Sequence, residues 1–275
     1  MRSAGLMAAG IVGALLMVAT PAGADLLYYP TPEHDYRHFR VTVTSVTKDD
    51  TLKFPDRTEA PAPIGPGVWL VTNKDYALFF SGRRPRIAGF EPMVEDSDPA
   101  PLLDRLSRMS QIHDFGLFLP GMPFEFDARP DEKLMFITMF LQSNDLFYAP
   151  KRTGLVLFDI HGRPVEGDVT DRILLWDGGT EVNQPPGRGN FQATRQAKLN
   201  LGTDERGVVR PVADGMTYPK TADVIDVTVE AGPAREGYRT YYVPFMVQAA
   251  PGNLMPAPTS PPPASPTSRY ITIGN

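Results

Sequence analysis

The sequence contains no cysteine among its 275 residues. This absence excludes disulfide bonds, thiolate metal sites, cysteine nucleophiles and lipid attachment through an N-terminal cysteine. An exported protein without disulfides has to be held together by its apolar core or by a bound metal ion.

Positive charge and catalytic motifs are also scarce. The chain has 27 Lys and Arg against 32 Asp and Glu, a formal net charge of -5. Nucleic-acid binding requires a basic stripe, so we expect no nucleic-acid partner. The sequence has no Gly-x-Ser-x-Gly elbow, no phosphate-binding glycine loop and no His-Glu-x-x-His. The four histidines show no spacing typical of a zinc site.

Long apolar runs are missing except at the N-terminus. Arg2 is followed by the uncharged segment 4–20, and the sequence Ala-Gly-Ala24 follows shortly after it. This pattern predicts a signal peptide, residues 1–24, cleaved after Ala24. The apolar core of about 15–17 residues is short for a membrane span, and no stop-transfer charges follow it. We therefore expect a secreted or periplasmic protein, of bacterial type, with no transmembrane segment after cleavage.

What the chain does contain is 29 prolines and 24 glycines, beside 42% hydrophobic residues. Short apolar runs between Pro and Gly turns are typical of an all-β domain. Segment 39–46 alternates, which predicts a strand with one buried face. Segment 134–141 is apolar except for Thr138, too apolar to alternate, and predicts a central strand covered on both faces. The one short helix is expected at 98–113, with Asp98 as N-cap and Pro99 at the first helical position.

The domain organisation follows from composition. Residues 25–37 have no periodicity and form an N-terminal lead, and 38–248 show no internal repeat and no change of composition, which favours one domain with long loops. Residues 249–275 are rich in proline and are predicted to form a solvated, polyproline-like tail.

Acidic residues follow two of the predicted strands. Asp145 comes shortly after the apolar run 134–141, while Asp177 and Glu181 flank the pair Gly178-Gly179. Calcium takes six to eight oxygen ligands without a rigid motif, and the glycine pair would let both carboxylates face one point. The alternative is that Asp and Asn follow strands because they form turns.

Two motifs resemble the spondin domain, the domain shared by F-spondin and mindin. They are Ser-Asn-Asp-x-Phe at 143–147 and Trp-Asp-Gly-Gly-Thr-Glu-Val-Asn at 176–183, and the resemblance extends over roughly residues 38–230. It implies an antiparallel β-sandwich of C2-like character, with calcium held by loop acids that correspond to Asp145, Asp177 and Glu181. The chain has Glu at 181 where the animal proteins carry Asp, and it lacks their cysteines and their thrombospondin-type repeats.

These observations predict an exported calcium-binding module rather than an enzyme. Calcium would rigidify the loops at one end of the sandwich, and the partner would be an extracellular or envelope ligand, either protein or glycan, as in cell adhesion. The alternative is a secreted hydrolase that uses Asp177 and Glu181 as a general acid/base pair. No sugar-binding aromatic platform supports the alternative, because Trp176 belongs to an apolar strand.

Overall fold

The computed structural model describes residues 36–73, 76–151 and 154–233. Strands in antiparallel sheets dominate this part of the chain, and the predicted all-β, sandwich-like class is confirmed. The predicted signal peptide, almost all of the N-terminal lead, residues 234–248 and the proline-rich tail lie outside the described residues.

The larger sheet has seven strands. They are β4 (Ile64–Thr72), β5 (Asp114–Phe118), β7 (Lys133–Phe140), β8 (Leu146–Pro150), β9 (Leu155–Val156), β11 (Ile173–Asp177) and β12 (Arg210–Pro211). Their order is β12-β11-β8-β7-β4-β5, and β9 pairs with β7. The apolar segment 134–141 therefore forms a central strand, as predicted, and every residue of β7 after Lys133 is buried.

The smaller sheet has four strands, and two further strands form a separate ribbon. The ranges are β1 (Arg37–Ser45), β6 (Phe124–Ala128), β10 (Gly167–Asp168) and β13 (Ile225–Pro233) for the sheet, and β2 (Leu52–Lys53) and β3 (Glu59–Ala60) for the ribbon. The order in the sheet is β10-β13-β1-β6. Phe39, Val41 and Val43 of β1 are fully buried, which confirms the predicted strand with one buried face. Strand alternation puts these three side chains on the same face of the sheet.

Apolar side chains cover both faces of the larger sheet. On one face, residues such as Trp69 and Phe136 pack against the smaller sheet, and Trp69 stacks on Phe124 at 5.2 Å. On the other face, Phe147 packs against the helices and the segment before them, with Phe90 5.5 Å away. We call these the sheet–sheet core and the helix-side core. Two covered faces explain why β7 has no polar side.

The helix-side core is built by two short helices, α1 (Phe90–Glu95) and α2 (Ala100–Leu106), where the sequence predicted one helix over 98–113. The carboxylate of Asp98 accepts the Ala100 N–H at 3.0 Å, so the predicted start is close to the observed one. The helix ends earlier because the chain tightens after Leu106 into i→i−3 hydrogen bonds, among them Met109 N–H to Leu106 O. Among the described residues, no helix has the length and apolar character that a membrane crossing requires.

Antiparallel pairing decides which loops meet at each end of the larger sheet. Asp177, the last residue of β11, is opposite Leu146, the first residue of β8. The loop 141–145 and the loop that begins at residue 178 therefore leave the sheet at the same end. The opposite end is formed by the end of β4 and the start of β7, where Thr72 pairs with Lys133.

Candidate metal centre

Two acidic residues that the sequence places beside strands, Asp145 and Asp177, lie close together at one end of the larger sheet. Asp145 immediately precedes β8 and Asp177 closes β11, and the register between these strands brings the two residues together. Both are 0% exposed. The Gly178 N–H also donates to the main-chain oxygen of Asp145 at 3.2 Å, which holds the two loops against each other.

A third carboxylate joins them from a distant part of the chain. Asp145, Asp177 and Glu205 each offer one oxygen, and these oxygens all lie within 4.8 Å of one another. Glu205 is fixed by its backbone, because its N–H donates to Thr180 O at 2.8 Å and the Gly207 N–H donates to Gly179 O at 2.7 Å. We call Asp145, Asp177 and Glu205 the carboxylate cluster.

Asp145 uses only one of its two carboxylate oxygens. Its Oδ2 accepts the N–H groups of Thr180 at 2.7 Å and Glu181 at 3.1 Å, and the Thr180 hydroxyl at 3.1 Å. Its Oδ1 is buried and has no hydrogen-bond partner among the described residues. A buried carboxylate oxygen without a partner is costly unless a cation or a proton compensates it.

Arg210 supplies part of the compensating charge. Its Nη2 lies 2.7 Å from Asp177 Oδ2 and 2.8 Å from Glu205 Oε1. Asp177 also accepts the Gly179 N–H at 2.8 Å and the side-chain amide of Asn183 at 2.9 Å. Glu205 Oε2 and Asn183 Oδ1 remain buried without a partner in the described part of the chain.

The electrostatics of the carboxylate cluster favour a bound cation. Burial raises the pKa of Asp145 to about 7, and the neighbouring charge of Asp177 contributes to the rise. Burial also raises the pKa of Asp177. When all three carboxylates are ionised, the single guanidinium of Arg210 leaves two uncompensated negative charges. A divalent ion with a preference for oxygen ligands fits both this charge and the unpartnered oxygens.

Glu181 lies beside the carboxylate cluster but is not one of its three members. It is 3% exposed, and its Oε2 accepts the side-chain amide of Asn144 at 3.1 Å. Burial raises the pKa of Glu181 to about 7, with the charge of Asp145 contributing. A Cβ at Gly202 would lie 2.2 Å from Glu181 Oε1, so a larger residue at 202 would displace the carboxylate of Glu181 from this position. Glu181 as a metal ligand stays a prediction.

Asn144 shapes the loop that carries Asp145. Its Oδ1 accepts the Gln184 N–H at 3.0 Å, and its Nδ2 donates to Glu181. Both ends of this side chain therefore join loop 141–145 to the loop after β11. These contacts give Asn144 a turn-shaping role, as is common for Asn residues after strands.

The turn between Asp177 and Glu181 depends on Gly179. Its φ is 66°, in the left-handed region, and a Cβ there would lie 2.6 Å from the backbone of Val208. Glycine is the residue that tolerates both the positive φ and the close approach. Gly179 therefore turns the chain between Asp177 and Glu181, and it also lets the segment that carries Glu205 pack against the turn.

Sequence reasoning missed Glu205, Arg210 and Glu95. Glu205 and Arg210 are far from Asp177 in sequence, and the only local signal was a dense group of charges at 204–206. Glu95, at the end of α1, is 3% exposed, and burial raises its pKa to about 8 with Glu181 adding to the effect. No motif or sequence spacing identifies any of the three residues as part of a site.

Comparison with known proteins does not assign the chain to a family. No protein-family model matches the chain, and no curated protein matches its sequence. The carboxylate cluster and the loops that hold it are therefore the features of the molecule that bear on its function.

Proposed function

We propose that the protein is an exported calcium-binding module of the spondin type, which acts by binding an extracellular or envelope ligand rather than by catalysis. The observation that supports this most directly is the carboxylate cluster, in which Asp145 Oδ1 and Glu205 Oε2 are buried and unpartnered among the described residues. Asp145, Asp177 and Glu205 would hold the ion. The resemblance of segments 143–147 and 176–183 to the spondin domain also supports calcium binding.

The chemistry of the donor set favours calcium among the common divalent ions. The three members of the carboxylate cluster offer only oxygen atoms. Zinc prefers nitrogen and sulfur ligands, whereas calcium accepts carboxylates, amide oxygens and water in irregular arrangements. The buried Oδ1 of Asn183, which has no partner among the described residues, is a neutral amide oxygen of the kind that calcium accepts.

The loops around the carboxylate cluster support a binding role. The cluster joins loop 141–145, the turn after β11 and the segment around Glu205. The last of these is also tied to the loop after residue 80, since the Val209 N–H donates to Arg83 O at 3.0 Å. A cation at the centre would hold these segments in one arrangement, so that their outer surfaces present a fixed shape to a partner.

The buried position of the acids argues against the hydrolase alternative. Asp177 is 0% exposed and Glu181 is 3% exposed, so neither carboxylate reaches a large substrate at the surface. A surface depression next to the turn is lined by Gly179 and Thr180 among other residues, but by neither of these two acids. General acid/base catalysis needs the catalytic group within hydrogen-bond reach of the substrate.

Thermal melting in calcium and in EGTA tests the calcium proposal. An ion that binds only the folded protein stabilises it by about 2.7 kcal/mol at a hundredfold excess over Kd, which corresponds to a rise in Tm of roughly 5–10 °C for a domain of this size. We expect this rise for the wild-type protein and for Asp171→Asn, which removes an exposed carboxylate outside the cluster. We expect Asp177→Asn and Glu205→Gln to lose it.

Equal melting temperatures in calcium and EGTA for a folded wild-type protein would contradict the proposal. The third ligand is identified by calcium titration of Glu205→Gln and Glu181→Gln. We expect Glu205→Gln to weaken calcium binding more, because Glu205 lies in the cluster and Glu181 is engaged with Asn144. The reverse order would make Glu181 the third ligand.

A further inference from the structure

A second group of polar side chains lies at the opposite end of the larger sheet, where β4 ends and β7 begins. It surrounds a surface depression of about 270 Å³. The polar lining groups belong to Asn73, Ser110, Gln111, His113, Arg129 and Glu132. Pockets for drug-sized ligands start at about 300 Å³, so a depression of this size suits a small ligand or one end group of a larger one.

His113 is held in one orientation by a buried carboxylate. Its Nδ1 lies 3.0 Å from Glu132 Oε1, and Glu132 is 1% exposed. Because an ionised carboxylate only accepts hydrogen bonds, Nδ1 carries the proton, and Nε2 is left for another partner. The His113 N–H donates to Val71 O at 3.0 Å, and the ring packs against Tyr36 at 5.5 Å, so backbone and ring are both fixed.

Arg129 presents a guanidinium group beside His113. Its backbone N–H donates to Glu132 Oε2 at 2.8 Å, and the guanidinium lies over the Tyr36 ring at 5.4 Å. The nearest carboxylates, Glu132 at 3.6 Å and Asp131 at 3.9 Å, are beyond a good hydrogen bond. The Nε of Arg129 is buried and has no hydrogen-bond partner within the described residues. Because Nε is buried, a ligand can reach the guanidinium only through its other nitrogens, on a side chain that is 37% exposed and makes only long ion pairs.

The balance of charge and donors in the depression favours an anion. The hydrogen bond that His113 donates to Glu132 raises the pKa of His113. The neighbouring buried group, Asp114, has its pKa raised by burial to about 7, so at about pH 6 its neutral form is favoured. Under that condition protonated His113 and Arg129 outweigh the buried carboxylate of Glu132. The other polar lining groups are neutral amides and a hydroxyl. Asp131 lies nearby with a side chain that is 63% exposed, where solvent screens its charge.

We propose that this depression is a ligand site for a small oxyanion, either free phosphate or the phosphate group of a small ester, bound by the Arg129 guanidinium and by Nε2 of His113. The planar fork of an arginine matches the geometry of phosphate oxygens. The site is independent of the carboxylate cluster, because the two lie at opposite ends of β7.

An NMR titration at about pH 6, where histidine is largely protonated, tests this site. Inorganic phosphate and glycerol 3-phosphate are added separately, in EGTA so that calcium neither precipitates nor contributes. We expect saturable shifts of the His113 ring and of the Arg129 side chain. Tighter binding of inorganic phosphate identifies the free anion as the ligand, and tighter binding of glycerol 3-phosphate identifies the ester.

Two charge-adding variants provide a matched comparison. Ser110→Asp puts a negative charge at an exposed position in the depression, and Ser107→Asp puts the same charge at an exposed position outside its lining. We expect Ser110→Asp to weaken binding at least about tenfold, about 1.4 kcal/mol, and Ser107→Asp to change it much less. Neither substitution touches a buried side chain, so both proteins should fold.

Removal of the guanidinium in Arg129→Gln is expected to abolish the saturable shifts. The absence of saturation with both phosphate compounds would overturn the proposal. Equal weakening in Ser110→Asp and Ser107→Asp would overturn it as well, because that result describes general surface attraction and not a site. If Arg129→Gln does not fold, the comparison of Ser110→Asp with Ser107→Asp tests the proposed site by itself.

Discussion

Asp114 is a buried carboxyl group that the fold only half satisfies. It is 7% exposed, its Oδ1 accepts the Phe115 N–H at 2.8 Å, and its Oδ2 is buried with no partner among the described residues. Burial raises the pKa of Asp114 to about 7. Protonation of this single residue therefore affects the free energy of unfolding.

The pH dependence of stability follows from that raised pKa. Between the unfolded-state pKa of about 3.9 and the folded-state pKa, the folded protein binds more protons, so the contribution of Asp114 to the free energy of unfolding falls as pH rises to about 7. We expect Asp114→Asn to be more stable than wild type by about 1–3 kcal/mol at about pH 8, with a smaller difference near pH 4. Urea denaturation in EGTA at both pH values measures this.

A stability difference of the same size at both pH values would contradict the role given to Asp114. The asparagine keeps an oxygen that can accept the Phe115 N–H, so the comparison isolates the charge. The charge of Asp114 also contributes to the raised pKa of the adjacent His113, so the measured difference includes the coupling between these two neighbours.

Among the elements of the fold, the turn after β11 decides the geometry of the carboxylate cluster. Its main-chain N–H groups at Thr180 and Glu181 bind Asp145 Oδ2, and its carbonyl groups receive the segment that carries Glu205. Within this turn, the backbone at Gly179 is left-handed and lies directly against Val208, in the segment that carries Glu205. A single residue in this turn therefore affects two of the three carboxylates.

Gly179→Ala tests the importance of this turn, and Gly162→Ala is its matched control. Both glycines have positive φ, 66° and 73°, but a Cβ at Gly162 meets nothing within 4 Å. The control should lose only the cost of a left-handed alanine, about 1–2 kcal/mol. We expect Gly179→Ala to lose at least about 2 kcal/mol more, because its Cβ overlaps the Val208 backbone.

Guanidinium denaturation of both variants measures the difference. We also expect Gly179→Ala to bind calcium more weakly, whereas Gly162→Ala should bind it like wild type. Equal losses of stability in the two variants would show that the close approach between Gly179 and Val208 does not constrain the turn.

In the molecule as a whole, the larger sheet is shared by two apolar cores. Each core contains one of the two tryptophans of the chain, Trp69 in the sheet–sheet core and Trp176 in the helix-side core. Because β7 contributes side chains to both, loss of either core exposes the other face of the same strand. This arrangement favours cooperative unfolding of both layers.

Single-tryptophan variants test this cooperativity. Trp69→Phe leaves Trp176 as the reporter of the helix-side core, and Trp176→Phe leaves Trp69 as the reporter of the sheet–sheet core. In each variant, we expect the fluorescence transition in urea to coincide with the transition in far-UV circular dichroism. Fluorescence that changes at lower urea than circular dichroism in Trp69→Phe would show that the helical layer unfolds separately.

Local patterns in the sequence were enough to predict the strand content and part of the site. The alternation in β1 and the lack of alternation in the mostly apolar β7 are local, because each depends on which faces of one strand are covered. Asp145 and Asp177 were predictable as neighbours for a similar reason. Asp145 lies just before one apolar run and Asp177 ends another, and antiparallel pairing puts the start of one strand beside the end of the next. The signal peptide, the calcium ion and the spondin resemblance stay predictions.

The third carboxylate, its counter-ion and the end of the helix became visible only in the folded chain. Glu205 and Arg210 reach Asp177 through a long loop whose path depends on the Gly179 turn and on backbone hydrogen bonds, and neither leaves a periodic pattern in the sequence. Helix α2 ends at Leu106 although apolar residues continue its spacing as far as Ile112, because these later side chains reach the helix-side core from a turn. Contacts between distant segments depend on packing in three dimensions, which local patterns do not encode.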